Sequence, residues 1–249
     1  MNSSVVSLKE ISKYIVQITL EDRENKNSFS DGIVSGIVEA FDIIKRNDTY
    51  RVAIVTGYDN YFCTGGTKSG LLTLGEGKQK FSDGALYSQP FECPIPVISA
   101  MQGHAVGGGF VFGLFSDFVV FSKECVYTTN FMRFGFTPGF GSTYILREKL
   151  GLPIAQEMLI TAKNFRGFEL AEKGIPFPVL PKAEVLAYCI ELAEDIAQKP
   201  RHSLVMLKDH MLKHDRAQLP KYIEQEEAMH EDTFRSDEVM QRIEELYGE

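Results

Sequence analysis

The 249-residue sequence lacks an excess of positive charge, long apolar runs and a leader pattern. Its formal net charge is -8, which argues against nucleic acids and anionic membranes as main partners because both attract a basic face. No apolar run approaches the roughly 18 residues that a membrane-spanning helix needs. The first residues, MNSSVVSLKE, also lack the basic-then-apolar order of a signal peptide. We therefore expect no membrane and no nucleic acid among the partners.

Cysteine is scarce too, and its spacing excludes two common uses of the residue. The positions are Cys63, Cys93, Cys125 and Cys189, and no two of them form a C-x-x-C pair. Neither a structural zinc site nor a disulfide framework fits this spacing. We therefore expect no metal and no cofactor, and reduced thiols point to a cytoplasmic protein.

Hydrophobic residues make up 44% of the chain, and their patterns alternate between strand and helix. Residues 13–20, 52–56, 96–101 and 118–121 read as strands, and 31–46 and 107–115 as helices, which predicts an α/β fold. A polar, glycine-rich stretch at about 57–82 reads as a loop. The later segments are helical, with Pro220 at the start of one of them. We expect an α/β core at residues 1–199 and a helical region at 200–249.

Two glycine-rich segments stand out as candidate ligand-binding loops: YFCTGGTKSG at residues 61–70 and GHAVGGGF at residues 103–110. In the second segment a strand gives way to a helix, so Gly108 is expected to present a backbone N–H without an internal partner. His104 in that turn is expected to be structural. Each segment alone is compatible with a simple tight connection, and the second lacks the G-x-G-x-x-G spacing of a dinucleotide site.

Taken together, the order of these motifs resembles the crotonase family. FGFTPGFGSTYILREKLG at residues 134–151, Asp117 in SDFVV and the segment LEDRENKNSFS extend the match. The resemblance implies that the N–H groups of Gly66 and Gly108 form an oxyanion hole for an acyl thioester. It also implies a spiral of repeated ββα units, a C-terminal helical region that covers the pocket, and a homotrimer.

The hydratases of that family carry two glutamates that are missing here. One stands three residues after the second oxyanion glycine, where this chain has Val111, and the other four residues before the glycine that matches Gly135, where it has Phe131. Water addition needs an acid and a base, so hydration is excluded, and both residues are expected to line an apolar substrate pocket. The pattern resembles the decarboxylating crotonases of polyketide β-branching, which implies conversion of 3-methylglutaconyl to 3-methylcrotonyl thioester. Double-bond isomerisation, or a non-catalytic thioester-binding protein, stays open as an alternative.

Five further side chains are candidates for chemistry or substrate binding. Lys80 is the first, because related decarboxylases carry an active-site lysine in this stretch, and Lys78 is its neighbouring alternative. His230 is expected to donate a proton, since histidine changes charge near neutral pH. Phe134 and Tyr87 are expected to contact the acyl group.

The thiol partner is expected to be an acyl carrier protein or CoA. Arg23 and Lys26 lie in the segment that resembles the family's nucleotide-contacting loop, and we expect them to contact the carrier. A second basic group lies on the C-terminal helical region, formed by Arg201, Lys208, Lys213 and Arg216. An ordinary solvated helix face explains that second group slightly better than a docking patch does.

Overall fold

A computed structural model describes residues 3–75, 77, 86–234 and 236–247. The strands are β1 (Val6–Ser12), β2 (Ile15–Leu20), β3 (Val52–Thr56), β4 (Tyr61–Cys63), β5 (Val97–Met101), β6 (His104–Val106), β7 (Phe118–Ser122), β8 (Val126–Thr128), β9 (Phe165–Arg166) and β10 (Val179–Leu180). The helices of the first part are α1 (Asp31–Arg46), α2 (Lys68–Gly75), α3 (Gln89–Glu92), α4 (Gly108–Leu114) and α5 (Phe131–Phe134). Those that follow are α6 (Ser142–Leu150), α7 (Leu152–Thr161), α8 (Gly167–Glu172), α9 (Lys182–Ala197), α10 (Arg201–Phe234) and α11 (Asp237–Leu246).

The chain forms two sheets and alternates between them. The six-stranded sheet has the order β1-β2-β3-β5-β7-β10, and the four-stranded sheet has the order β4-β6-β8-β9. β3 and β4, β5 and β6, and β7 and β8 are successive pairs that place one strand in each sheet before a helix follows. The neighbours within each series pair in parallel, as crossover connections require. The predicted spiral of ββα turns is confirmed.

The six-stranded sheet is buried on both faces, which explains its continuous apolar strands. In β3, Ala53 and Val55 join the main hydrophobic core, whereas Val52 and Ile54 face a second cluster. Helix α9 covers that second face with the small and apolar side chains Val185, Cys189, Ala193 and Ala197. Parallel strands covered on both sides lose the polar alternation of an exposed sheet.

Two predicted boundaries are wrong, and both errors have local causes. The stretch expected to be a loop at 57–82 contains β4 and α2, because a strand of three residues leaves too short a pattern to read. Pro220, predicted to start a helix, lies inside α10, and that helix continues through the proline. Proline removes one N–H donor from a helix but does not have to end it when the flanking turns are packed elsewhere.

The predicted boundary near residue 199 coincides with the break between α9 and α10. Whether the two parts are separate folding units stays a prediction. In the part of the chain that the structure describes, no helix is both long and apolar enough to cross a bilayer.

Candidate active site

Several loops and the end of α11 line a cavity of about 1110 Å³. Both predicted oxyanion glycines, Gly66 and Gly108, belong to its wall. Its larger apolar members are Phe29, Leu71, Leu72, Phe131, Phe134, Phe136, Phe140, Leu246 and Tyr247. Polar and charged side chains also line it, among them Lys26, Asp31, Lys68, His104 and Arg133. A cavity that combines apolar surface with placed polar groups is the usual form of a small-molecule site.

The two loops that carry the donor glycines lie against each other. Each donor follows a glycine in the left-handed region, Gly65 with φ +78° and Gly107 with φ +53°, a conformation that side chains disfavour. A Cβ placed on Gly65 would lie 3.1 Å from the nitrogen of Gly108. Among the described residues, neither the Gly66 N–H nor the Gly108 N–H has a hydrogen-bond acceptor. Both amides are therefore available to an oxygen of a ligand.

The direction of each donor is fixed by the carbonyl of its own peptide group. The Gly65 carbonyl accepts a hydrogen bond from Phe29 N–H at 2.7 Å, and the Gly107 carbonyl accepts from Phe110 and Val111 inside α4 at 3.1 Å. In a trans peptide the C=O and the N–H point in opposite directions. Anchoring the two carbonyls therefore orients the N–H groups of the next residues, which is the preorganisation that an oxyanion hole needs.

The two residues that follow the left-handed Gly107 leave little room for a side chain because of their packing. A Cβ on Gly109 would lie 2.3 Å from the backbone oxygen of Cys63, and one on Gly108 would lie 2.9 Å from a ring carbon of Phe29. The start of α4 thus presses directly on the end of β4. On the other side, the Tyr247 hydroxyl donates to the Gly66 carbonyl at 2.8 Å.

Asn27 fastens the first loop to the same region. Its backbone is left-handed, with φ +55°, and its side-chain amide donates to the carbonyls of Leu20 at 2.9 Å and Phe62 at 3.0 Å. Its side-chain oxygen accepts from the N–H of Asp22 at 2.7 Å. This fully buried amide holds the loop that presents Phe29 to Gly65. The sequence offered a signal that we did not use, since asparagine is the residue most tolerant of this conformation after glycine.

The residues at the two missing glutamate positions have different places. Phe131 is 4% exposed and belongs to the cavity wall, as expected. Val111 is fully buried inside α4 and is not among the described residues that line the cavity, and its predicted contact with substrate stays a prediction. Every residue of α4 is buried, so a side chain there meets protein on all sides. Neither residue carries an acid or a base.

Phe134 lies in the cavity wall. Tyr87 is not among the described wall residues and packs behind one of them, Phe140. The Tyr87 ring packs against Phe140 with centroids 5.0 Å apart and against Phe115 at 5.8 Å. Burial raises the pKa of the Tyr87 hydroxyl. In the structure Tyr87 supports the wall residue Phe140, and its direct contact with substrate stays a prediction.

His230 lies against the wall residue Phe136, with ring centroids 5.6 Å apart. Its Nδ1 is 2.9 Å from the carbonyl oxygen of Thr137. Because a carbonyl only accepts, Nδ1 carries the proton in the neutral ring. Burial lowers the pKa of His230 to about 4, so the ring is neutral at neutral pH. The predicted role of His230 as a proton donor stays a prediction.

The two predicted lysine candidates, Lys80 and Lys78, lie outside the described residues. The two predicted carrier contacts are separated by the structure. Lys26 belongs to the cavity wall, with its ammonium 5.9 Å from the centre of the Tyr61 ring. Arg23 is exposed and pairs with Glu21 and Asp59, both at 2.8 Å.

Sequence reasoning missed Arg133, a half-buried cation in the cavity wall. Within the described part of the chain, no hydrogen bond or ion pair engages its guanidinium. It lies on α5 between the wall residues Phe131 and Phe134. The available signal was a charged residue inside the otherwise apolar run FMRF, which we read only for its aromatic members.

Two members of the second basic group, Lys208 and Arg216, have partners within the protein. Lys208 is buried and donates to Asp117 at 2.7 Å and to the carbonyls of Pro90 and Ile95. Arg216 pairs with Asp209 at 2.6 Å. Lys208 is therefore a structural connection between α10 and the core and does not belong to a solvated helix face.

His104 has a structural partner and also reaches the cavity. Its Nδ1 accepts from the Val126 N–H at 2.9 Å, and the residue is part of the wall. Burial and the nearby Arg166 lower the pKa of His104. Within the described ranges, no three His, Cys, Asp or Glu side chains are grouped so that they could hold a metal ion.

With this geometry in place, comparison with known proteins is informative. The family model for enoyl-CoA hydratase/isomerase matches residues 10–247. The bacillaene synthase decarboxylase PksI of Bacillus subtilis (strain 168) is 54% identical over 248 residues, which cover 100% of both chains.

Solved structures agree with this result. A structure from work on a dehydratase/decarboxylase enzyme couple involved in polyketide beta-branching superposes with a TM-score of 0.98 at 54% identity, covering 99% of this chain and 100% of the other. The ECH2 decarboxylase domain of CurF from Lyngbya majuscula superposes with a TM-score of 0.94 at 46% identity, covering 98% and 100%. The likeness therefore extends over the whole fold.

Proposed function

This chain belongs to the enoyl-CoA hydratase/isomerase family, also called the crotonase family, and from that premise we propose that it is a decarboxylase of acyl thioesters. The substrate is a 3-methylglutaconyl group on an acyl carrier protein, and the product is the 3-methylcrotonyl thioester of polyketide β-branching. Full-length similarity to two proteins that are named decarboxylases supports this assignment.

One structural observation carries the proposal: two oriented amides without acceptors face a cavity that has lost both hydratase carboxylates. Loss of CO2 breaks the bond between the carboxylate and the γ-carbon of the enoyl group. The electron pair moves into a dienolate, whose negative charge rests largely on the thioester oxygen. Donors from Gly66 and Gly108 stabilise charge that grows as this bond breaks, so they lower the barrier. A proton then adds to the γ-carbon and gives the product.

Water addition is unsuited to this site. The position of one hydratase glutamate holds Phe131 in the cavity wall, and the other holds the buried Val111. An apolar neighbour such as Phe131 also disfavours a charged substrate carboxylate relative to neutral CO2. The same replacement that removes hydration therefore favours decarboxylation.

The remaining roles are assigned as proposals. Lys80, with Lys78 as the alternative, orients the substrate carboxylate or supplies the proton. His230, which packs against the wall residue Phe136, stays a candidate for the group that protonates the dienolate. Its neutral ring must first gain a proton. Lys26 contacts the phosphopantetheine arm or the carrier, and CoA is the alternative thiol. Three chains form the assembly, which light scattering after gel filtration tests.

The direct test follows the mass of a carrier protein loaded with 3-methylglutaconate after incubation with the purified protein. Decarboxylation removes the mass of CO2 from the loaded carrier and releases CO2. Isomerisation leaves the mass unchanged while the double bond moves. An unchanged mass and an unchanged double bond would instead support a non-catalytic binding protein.

A matched pair of variants isolates the contribution of one donor. Gly108→Pro removes the N–H but suits the first position of a helix, while Gly108→Ala keeps the N–H and adds the same Cβ next to Phe29. We expect kcat of the proline variant to fall about 10²–10³-fold below that of the alanine variant. Equal rates in the two variants would exclude the proposed role of this amide.

A further inference from the structure

Phe140 forms the part of the cavity wall that is next to the Gly108 donor. A Cβ built on Gly108 lies 3.7 Å from a Phe140 ring carbon. The Phe140 ring stacks on Phe29 with centroids 5.6 Å apart and planes 3° apart. An acyl group whose thioester oxygen meets Gly108 therefore lies beside this ring.

The backbone of Phe140 is in an unfavourable conformation for its residue type. Its φ is +66°, and the following Gly141 has φ +69°. Two consecutive left-handed residues include one bulky side chain, which rarely adopts this region. Such a conformation persists only when the surrounding structure imposes it, and it often marks a functional position.

The carboxylate of Glu226, on α10, imposes this conformation. One oxygen accepts from the Gly141 N–H at 2.7 Å, and the other accepts from the Thr143 N–H at 2.7 Å and from the Thr143 hydroxyl. Gly141 is the N-cap of α6 but has no side chain that could cap the helix. Glu226 supplies the missing cap from a distant part of the sequence.

α10 holds the same segment at a second point. The hydroxyls of Thr233 and Thr137 are 2.8 Å apart, and the Thr137 N–H donates to Thr233 at 3.2 Å. Glu226 itself is 2% exposed and, among the described residues, is not part of the cavity wall. Burial raises the pKa of its carboxyl to about 7. A buried carboxylate without contact to the cavity is best explained by what it holds in place.

We propose that Glu226 is a positioning residue, which fixes the left-handed turn at Phe140–Gly141 and thereby sets the Phe140 ring beside the Gly108 donor. The inference rests on the proposed function, since it concerns how the acyl thioester is placed over the oxyanion hole. Through Glu226, α10 thus shapes the site by way of the backbone of residues 137–143.

The first test replaces one oxygen of the carboxylate. In Glu226→Gln the amide group faces one of the two backbone N–H groups in either orientation, so one of them loses its acceptor. Because a displacement of about 1 Å at a reacting centre can cost roughly 100-fold in rate, we expect kcat to fall between about 10-fold and 100-fold. KM stays close to that of the unaltered protein, since the carrier contacts remain. Amide hydrogen exchange of residues 141–143 accelerates.

The matched control is Glu224→Gln, an exposed glutamate on the same helix, which leaves kcat and KM unchanged. The rates are measured above the pKa of Glu226, so that the carboxylate is ionised in the unaltered protein. A folded Glu226→Gln variant with the kcat and KM of the unaltered protein would overturn the proposal.

A second variant tests the role of the ring even if Glu226→Gln does not fold. Phe140→Gly adopts the same φ without strain and removes only the ring, so it folds and loses at least about 10-fold in kcat. Full activity of Phe140→Gly would refute the role of the ring.

A third measurement separates this inference from the proposed function. If the unaltered protein releases no CO2, the proposed function fails. The positioning role of Glu226 is then tested by the binding of an inert crotonyl-pantetheine thioether. Binding that is at least about 10-fold weaker in Glu226→Gln supports the positioning role, and equal binding rejects it.

Discussion

The buried ion pair between Lys208 and Asp117 should be the strongest single connection between α10 and the core. The Lys208 side chain is 4% exposed and that of Asp117 is 19% exposed, with 2.7 Å between the charged atoms. Lys208 also donates to the carbonyls of Pro90 and Ile95, at 3.0 and 3.1 Å. Asp117 accepts from the Val97 N–H at 2.8 Å in addition.

Lys208→Met keeps the length and apolar stem of the side chain but removes all of its donors. The substitution leaves a buried carboxylate without its cation, which typically costs about 3–5 kcal/mol. Because Asp117 keeps partial contact with water and its bond to Val97, we expect the lower end, about 3 kcal/mol of unfolding free energy. For a chain of this size that corresponds to a fall in Tm of about 6–12 °C.

Unfolding in urea and on heating, followed by circular dichroism at a fixed protein concentration, measures the effect. Lys213→Met is the control, because this lysine is exposed on the same helix, and it should change stability by no more than about 0.5 kcal/mol. In an Asp117→Asn background the cost of Lys208→Met should shrink, since the stranded charge is gone. An equal cost in both backgrounds, or equal effects of the two lysine variants, would refute the reasoning.

Three further predictions concern the site and its surroundings. Gly109→Ala places a Cβ 2.3 Å from the backbone of β4, so it should lower both Tm and kcat, which thermal unfolding and CO2 release measure; an active, stable variant would contradict the packing described. The double variant Val111→Glu, Phe131→Glu should lose stability and should not hydrate an enoyl thioester efficiently, because the buried Val111 site offers a carboxylate no partner; rapid hydration seen in an absorbance assay would refute this. Burial lowers the pKa of His230 to about 4 and raises that of Glu226 to about 7. Falling pH therefore costs stability through His230 from about 6.5 to 4 and adds stability through Glu226 from about 7 to 4.5. As the pH falls from about 7 to 5, the unfolding free energy of His230→Gln should rise by about 2 kcal/mol relative to that of the unaltered protein, and that of Glu226→Gln should fall by about 2 kcal/mol. Urea unfolding of all three proteins at both pH values checks the opposite signs, and equal signs would reject the assignment.

Much of the site could be predicted because its essential parts are local in the sequence. The two glycine-rich segments place a donor after a left-handed glycine, and this geometry depends on the residue type itself. The missing glutamates at Val111 and Phe131 were also readable position by position. The resemblance to crotonases then implied a spiral of ββα units, and the structure confirmed that spiral.

Side-chain access was not predictable in the same way. Val111, Tyr87 and His230 are not among the described residues that line the cavity. Arg133, by contrast, lies in the wall although its sequence neighbours are aromatic. Which face of a short helix meets a cavity depends on how several elements pack, and a run of four residues carries no such information.

The sequence alone determined where the backbone donors arise, because glycines that permit left-handed turns and a helix start act within a few residues of themselves. Only the tertiary structure decided which distant residues hold the turn at Phe140–Gly141 and join α10 to the core. Glu226 caps a helix whose first turn is 83–85 residues away along the chain, and Lys208 meets Asp117 across 91 residues. Such partners come together only through the folding of the whole chain, since no local pattern links a buried charge to the amides that satisfy it.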